Sequence, residues 1–153
     1  MSYFQDAIKG NHCYGCGPHN EHGLNIKSEW RNDTESVCHF HPKNYQCSAT
    51  TKFLNGGVIA TIIDCHCVCT AVAYAYKQQG RPLGEGEEIW YATGQLNIDY
   101  QRPTPIDQPL LLTAKVTSVE ERRIILSCSL ESVGKICATA EVVAMLVPNE
   151  WMK

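Results

Sequence analysis

The chain has 153 residues, nine cysteines and a formal net charge of −3 at pH 7. This length predicts one domain that buries its own core. The slightly negative net charge, with no run of Lys and Arg, argues against binding to nucleic acid or to an anionic membrane surface. An odd number of cysteines in a chain of ordinary apolar content predicts reduced thiols and not a disulfide framework.

Residues 1–22 are predicted to form a leader rich in cysteine and glycine. The first ten residues hold no continuous apolar segment, so we expect no secretory signal and a cytoplasmic location. Cys13 and Cys16 have the spacing of half a zinc site, with histidines nearby, but a second Cys-x-x-Cys is absent. We therefore expect packed thiols, a leader folded over the sheet or the pocket, and no bound metal or cofactor.

Runs of apolar and β-branched residues bounded by turn signals predict six strands and one long helix. In chain order these elements are strands Gly23–Trp30 and Thr34–His41, a helix Leu54–Gln79, and strands Glu88–Gln101, Leu110–Val119, Arg122–Glu131 and Ile136–Val147. A polar turn at residues 31–33 joins the first two strands, and a breaker-rich loop at residues 80–86 follows the helix.

The predicted helix is apolar nearly all round. It has no Pro or Gly after Gly57, which favours a helix although the cysteines at residues 65–69 alternate as in a strand. Val58–Tyr76 holds only Asp64 and His66 as ionisable groups, which is also typical of a membrane span. An Asp near the centre of a span costs roughly 2.5 to 3.5 kcal/mol, however. We therefore predict a helix buried by a sheet that curls around it.

Two glycines open this helix, and one carboxylate lies about two turns inside it. Free N–H groups and the helix dipole at Gly56 and Gly57 form a site for an oxyanion. Asp64 stands alone among isoleucines, and its structural alternative is a buried, hydrogen-bonded carboxylate or a residue at a polar dimer seam. The glycine pair at the helix start and the single carboxylate inside the helix together indicate a catalytic site.

The order of elements and the sequence from Asn55 to Asp64 resemble the hotdog-fold acyl-CoA thioesterases of the phenylacetate-pathway (PaaI-like) type. The motifs Asn97-Ile98-Asp99-Tyr100-Gln101-Arg102-Pro103 and Cys13-Tyr14-Gly15-Cys16-Gly17 are also similar to family sequences. The resemblance implies an α+β hotdog fold, in which an antiparallel sheet wraps one central helix. It also implies hydrolysis of a CoA thioester to free acid and CoA, by a homodimer or homotetramer.

The chain departs from the family pattern at two positions and matches it at a third. Asn55 stands where the family usually has histidine, and Ala49 stands where it has asparagine. Thr93 matches the family's hydroxyl on the strand after the helix. Polar residues near Ala49 that are candidates to replace the missing amide are Gln46, Ser48 and Thr50.

Thioester hydrolysis requires a polarised carbonyl, an activated water and a place for the thiolate. The helix-start amides supply the first, and Asp64 is the candidate general base or nucleophile. Eight residues at 1.5 Å each place Asp64 roughly 12 Å from Gly56, too far for both to meet one carbonyl. We therefore predict a two-fold dimer whose antiparallel helices complete two equivalent sites.

Two other functions remain open from the sequence. A hotdog dehydratase requires a His and Asp pair, but His66 and Asp64, two residues apart on a helix, point in different directions. An acyl-CoA-binding protein without turnover is favoured by Asn55 and Ala49. Candidate phosphate contacts are Lys52, Arg102, Arg122 and Arg123.

Overall fold

An antiparallel sheet packs against one long helix. The computed structural model describes residues 2–153. In chain order the elements are α1 (Phe4–Ala7), β1 (Ser28–Trp30), β2 (Glu35–Phe40), α2 (Gly56–Gln78), β3 (Tyr91–Tyr100), β4 (Leu110–Val119), β5 (Arg123–Ser132) and β6 (Lys135–Leu146), with 3-10 helices at Asn44–Gln46 and Asn149–Met152. The predicted six strands and single long helix are confirmed.

The leader accounts for the main difference from the prediction. Strand β1 begins at Ser28 and not at Gly23, because the preceding backbone pairs with the leader. The N–H of Leu24 donates to the Tyr14 carbonyl at 2.8 Å, and the N–H of Ile26 donates to the Gly15 carbonyl at 3.2 Å. The four-residue α1 is too short to show a helical period in the sequence.

The strand order is β1-β2-β4-β5-β6-β3, and every pairing is antiparallel. β3 therefore forms one edge of the sheet, and within residues 2–153 it pairs only with β6. Such an edge presents a row of backbone N–H and C=O groups that are free to pair with another chain. Most of β3 is exposed, whereas alternate residues of β4 and β5 are buried.

Helix α2 supplies much of the core. Ile62 and Ile63 are fully buried and pack in one cluster with Leu112, Leu126 and Val142 of the sheet. The length and hydropathy of α2 match those of a membrane-crossing helix, but 61% of its most apolar 18-residue window is buried within the fold. The sheet and leader cover this apolar surface, as predicted for a helix wrapped by a sheet.

Candidate active site

The start of α2 is capped by the side chain of Asn55. Its Oδ1 accepts the N–H of Gly57 at 2.8 Å and the N–H of Val58 at 3.1 Å. This is the arrangement of a helix N-cap, which satisfies amides that have no partner inside the helix. The N–H of Gly56 has no acceptor among residues 2–153. Of the two predicted oxyanion donors, the structure therefore leaves the Gly56 amide free and engages the Gly57 amide.

Asp64 lies on the partly exposed face of α2, opposite strand β3. The Thr93 hydroxyl donates to Asp64 Oδ1 at 2.5 Å. Burial raises the pKa of the Asp64 carboxyl above its usual value, and the hydrogen bond from Thr93 partly offsets that rise. The sequence identified the Thr93 hydroxyl as a family position but did not predict its contact with Asp64. The second carboxylate oxygen remains available to a water or substrate.

A β-bulge at Gly94 directs Thr93 toward the helix. Thr93 pairs with Ala144 and Gln95 pairs with Val143, so Gly94 is an extra residue in β3. Without it, strand alternation would place Thr93 on the face opposite to Leu96, which packs on the core. The glycine also admits a close neighbour, since a Cβ there would lie 2.5 Å from Met145 Cγ.

Tyr100, at the end of β3, contacts the same helix start. Its hydroxyl donates to the Gly56 carbonyl at 2.7 Å, and its side chain is 50% exposed. The sequence places Tyr100 in a family-like motif but did not predict the contact of its hydroxyl with the glycine motif. Tyr100 and Gly56 line an open cavity of about 470 Å³ that also includes Ser48 and Arg102.

The residues suggested as replacements for the missing family asparagine differ in their placement. Gln46 is buried, and its Oε1 accepts the N–H of Lys43 at 2.9 Å. Ala49 is exposed, as is Thr50. Ser48 lines the cavity at the helix start, which makes it the one polar side chain of the three that borders the candidate site.

His66 lies on the opposite side of α2, against the sheet. Its Nδ1 is 2.8 Å from Ser28 Oγ and its Nε2 is 3.3 Å from Ser36 Oγ. Burial lowers the pKa of His66 to about 4, so the ring is neutral near pH 7. His66 is therefore a buried core histidine, and it does not form the His and Asp pair of a dehydratase with Asp64.

The leader places two of its cysteines against two cysteines of α2. Cys13 Sγ lies 3.6 Å from Cys65 Sγ, and Cys16 Sγ lies 3.7 Å from Cys69 Sγ. The Cys-x-x-Cys spacing in the sequence indicated Cys13 and Cys16. Their partners in the structure are Cys65 and Cys69, and not the nearby histidines. Hydrogen bonds from the Cys65 and Cys69 thiols hold the pKa of Cys16 well below its usual value.

Comparison with known proteins identifies the family. Residues 51–139 match the family model described as Thioesterase superfamily. The chain belongs to the thioesterase superfamily. A thioesterase superfamily protein from Shewanella loihica PV-4 has a solved structure that is 32% identical, with a TM-score of 0.67 over 94% of this chain and 99% of that chain. The predicted fold class and family resemblance are confirmed.

Two further relatives are informative. The PaaI protein from the phenylacetic acid degradation operon of E. coli is 13% identical, with a TM-score of 0.66 over 82% of this chain and 81% of that one, and it shows the shared fold. Acyl-coenzyme A thioesterase THEM4 of Rattus norvegicus is 30% identical over 95 residues, which are 62% of this chain and 35% of the rat protein. The matched region therefore spans about a third of the length of this curated relative.

Proposed function

We propose that this protein is an acyl-CoA thioesterase, which hydrolyses a CoA thioester to the free acid and CoA in the cytoplasm. The observation that carries the proposal is the Asp64 carboxylate, held by Thr93 on a partly exposed helix face in a chain of the thioesterase superfamily. The name of the THEM4 relative supports CoA thioesters as the substrate class.

In this mechanism the Gly56 N–H polarises the thioester carbonyl and stabilises the oxyanion that forms there. Asp64 acts as a general base on a water, using the carboxylate oxygen that Thr93 does not hold. The raised pKa of Asp64 favours this role, because it makes the carboxylate a stronger base than an exposed aspartate. Collapse of the tetrahedral intermediate then expels the CoA thiolate.

The site is proposed to lie between two subunits. Gly56 and Asp64 are separated by roughly 12 Å along one helix, beyond the reach of one carbonyl. The unpaired edge of β3 runs beside Asp64, and pairing two such edges about a two-fold axis brings the α2 helices side by side. Gly56 of one subunit and Asp64 of the other then share a substrate. A homodimer is the smallest assembly that forms this site and has two copies of it, and a homotetramer made of two such dimers has four.

The cavity beside Gly56 is the proposed entry for the substrate. Its wall includes Phe53 and Ile59, which are apolar, and Arg102, which is an exposed cation. Apolar side chains suit the acyl or pantetheine portion, and a guanidinium suits a CoA phosphate. Of the four basic residues considered from the sequence, Arg102 borders this cavity, whereas Arg123 pairs with Glu120.

Release of thiol from a panel of short, long and aromatic acyl-CoA esters tests the reaction. We expect wild type to release CoA and Asp64→Asn to lose about 10² to 10⁴-fold in kcat, the usual contribution of a general base. Asp107→Asn, which changes an exposed loop aspartate in the same way, serves as the matched control. Ester binding without thiol release by wild type would instead identify an acyl-CoA-binding protein.

The oxyanion donor can be tested separately by replacing Gly56. Gly56→Pro removes the N–H, and proline is tolerated at the first helical position, where the preceding Asn55 already has φ −60° and ψ 133°. Gly56→Ala keeps the N–H, and its Cβ would meet Tyr100 at an ordinary contact distance of 3.7 Å. We expect about a 10² to 10³-fold loss of kcat in the proline variant and a small change in the alanine variant.

A single turnover in ¹⁸O-water separates a base from a nucleophile. Direct attack by Asp64 on the acyl carbon forms an anhydride, whose hydrolysis at the aspartyl carbonyl leaves ¹⁸O in the peptide that carries Asp64. The general-base mechanism puts the label only in the released acid. Label in Asp64 would therefore assign the nucleophilic role.

A further inference from the structure

The cysteine cluster lies where the leader contacts helix α2, on a face adjacent to that of Asp64. Gly15 sits directly on this face, because a Cβ there would lie 2.3 Å from Cys65 Sγ and 2.9 Å from Thr61 Cγ2. Any side chain at position 15 would push the leader away. The absence of a side chain at Gly15 therefore allows the flanking cysteines to reach the helix.

The loop from Cys13 to Gly17 forms a closed turn that fixes the positions of Cys13 and Cys16. The N–H of Gly17 donates to the Cys13 carbonyl at 2.8 Å and closes the turn. Asn11 fixes the turn from outside, with its Oδ1 accepting the Cys13 N–H at 3.0 Å and its Nδ2 3.6 Å from Cys16 Sγ. An amide donor directed at a sulfur, as Asn11 Nδ2 is at Cys16, stabilises the thiolate and orients it as a ligand.

Three of the four sulfurs have the spacing of ligands to one tetrahedral metal ion. The Sγ atoms of Cys13, Cys16 and Cys65 all lie within 4.8 Å of one another, and Cys13 and Cys65 are 3.6 Å apart. Four sulfurs at about 2.3 Å from zinc are separated by roughly 3.8 Å, the edge of that tetrahedron. Cys69 Sγ lies 3.7 Å from Cys16 Sγ, one helical turn beyond Cys65. It is more than 4.8 Å from at least one of the other two sulfurs, so its side chain must rotate to become the fourth ligand. Ligands four residues apart share one helix face, as in helical zinc motifs.

We propose that Cys13, Cys16, Cys65 and Cys69 form a structural Zn²⁺ site that fastens the leader to α2. Thiolates select zinc among the common divalent ions, and a closed set of four is typical of structural sites. Binding converts the remaining thiols to thiolates and releases their protons to solvent. Cys13 is exposed, which gives the ion a path from solvent.

Metal analysis of the full chain, expressed with zinc and purified under reducing conditions, tests this proposal. We expect about one zinc per chain in wild type and most of it lost in Cys13→Ser and Cys65→Ser. Cys47→Ser, which removes a cysteine outside the cluster, should keep the zinc. Wild-type protein without stoichiometric metal, or with iron or copper in place of zinc, would overturn the proposal.

Alkylation mapping gives a second measurement that does not depend on activity or on the folding of a variant. In zinc-bound wild type the exposed Cys13 should resist alkylation and become reactive when a chelator removes the ion, while Cys47 should react equally in both states. Equal reactivity of Cys13 in both states would contradict the site. A mass lower by two hydrogens for each pair, with Cys13 bonded to Cys65 or Cys16 bonded to Cys69, would show that the cluster forms disulfides and would overturn the zinc site.

Discussion

Replacing Asn55 tests whether this side chain acts as a helix cap or as a substrate contact. Asn55→Ala removes the acceptor of two amide hydrogen bonds, from Gly57 at 2.8 Å and from Val58 at 3.1 Å. Both amides lie at an exposed helix end, where water replaces part of the loss. The expected cost is therefore about 1 kcal/mol of unfolding free energy, the usual value for a lost N-cap.

Urea unfolding at neutral pH measures this cost. With an m-value of about 2 kcal/mol/M for a chain of this size, the midpoint of Asn55→Ala should fall by about 0.5 M. Asn55→Ser is the matched control, because serine supplies an N-cap oxygen but no amide donor. It should unfold within a few tenths of a kcal/mol of wild type.

Turnover of the same variants completes the test. If Asn55 only caps the helix and holds the Gly56 amide in place, Asn55→Ser should keep kcat within a few-fold of wild type. A serine variant as stable as wild type that loses more than about tenfold in kcat, or 1.4 kcal/mol, would refute the cap account. Such a result would assign the Asn55 amide to the substrate, in place of the family's histidine.

Three further predictions concern proton transfer, folding and binding. Thr93→Val removes the hydrogen bond that lowers the pKa of Asp64, so the acidic limb of the pH profile of kcat should move to higher pH. Thr93→Ser should leave that limb in place, and an unchanged profile in the valine variant would contradict the role of Asp64 as the general base. The folded-state pKa of His66, about 4, lies below its ordinary 6.5, so its contribution to stability is present above pH 6.5 and is lost as pH falls toward 4. Between pH 7 and 5 the unfolding free energy of wild type, measured in urea, should therefore fall by about 2 kcal/mol more than that of His66→Gln. The same pH dependence in both proteins would show that the His66 ring is not buried in its neutral form. Arg102→Gln should raise KM for an acyl-CoA up to about fivefold but not for the matching acyl-pantetheine, which lacks the nucleotide phosphates. An equal rise of KM for both substrates would contradict a contact between Arg102 and a CoA phosphate.

Hydrophobic patterning predicted α2 and the last four strands well, because each of these elements is long and bounded by turn residues. Strand β4 begins and ends where predicted, and α2 was correctly assigned despite the alternating cysteines. The alternation is compatible with a helix because Cys65 and Cys69 face the leader, whereas Cys67 is fully buried. Free cysteine packs as a small hydrophobe in either setting.

The parts of the site that escaped prediction depend on contacts between distant segments. The meeting of Cys13 with Cys65 spans 52 residues, and a spacing motif shows only its first half. The direction of Thr93 depends on the bulge at Gly94, where a glycine within a strand was the available signal. The hydroxyl contact from Tyr100 to Gly56 depends on where the edge strand ends relative to the helix.

Activity of a mixture of two inactive variants tests the shared site most directly. In a dimer of Asp64→Asn with Gly56→Pro, one site carries both changes and the other carries neither, if each site takes Gly56 and Asp64 from different subunits. Random exchange makes half of the dimers mixed, each with one intact site of two, so the mixture should recover about a quarter of wild-type thiol release. No recovery, with exchange shown by mass spectrometry of the mixed dimer, would contradict a site built between subunits.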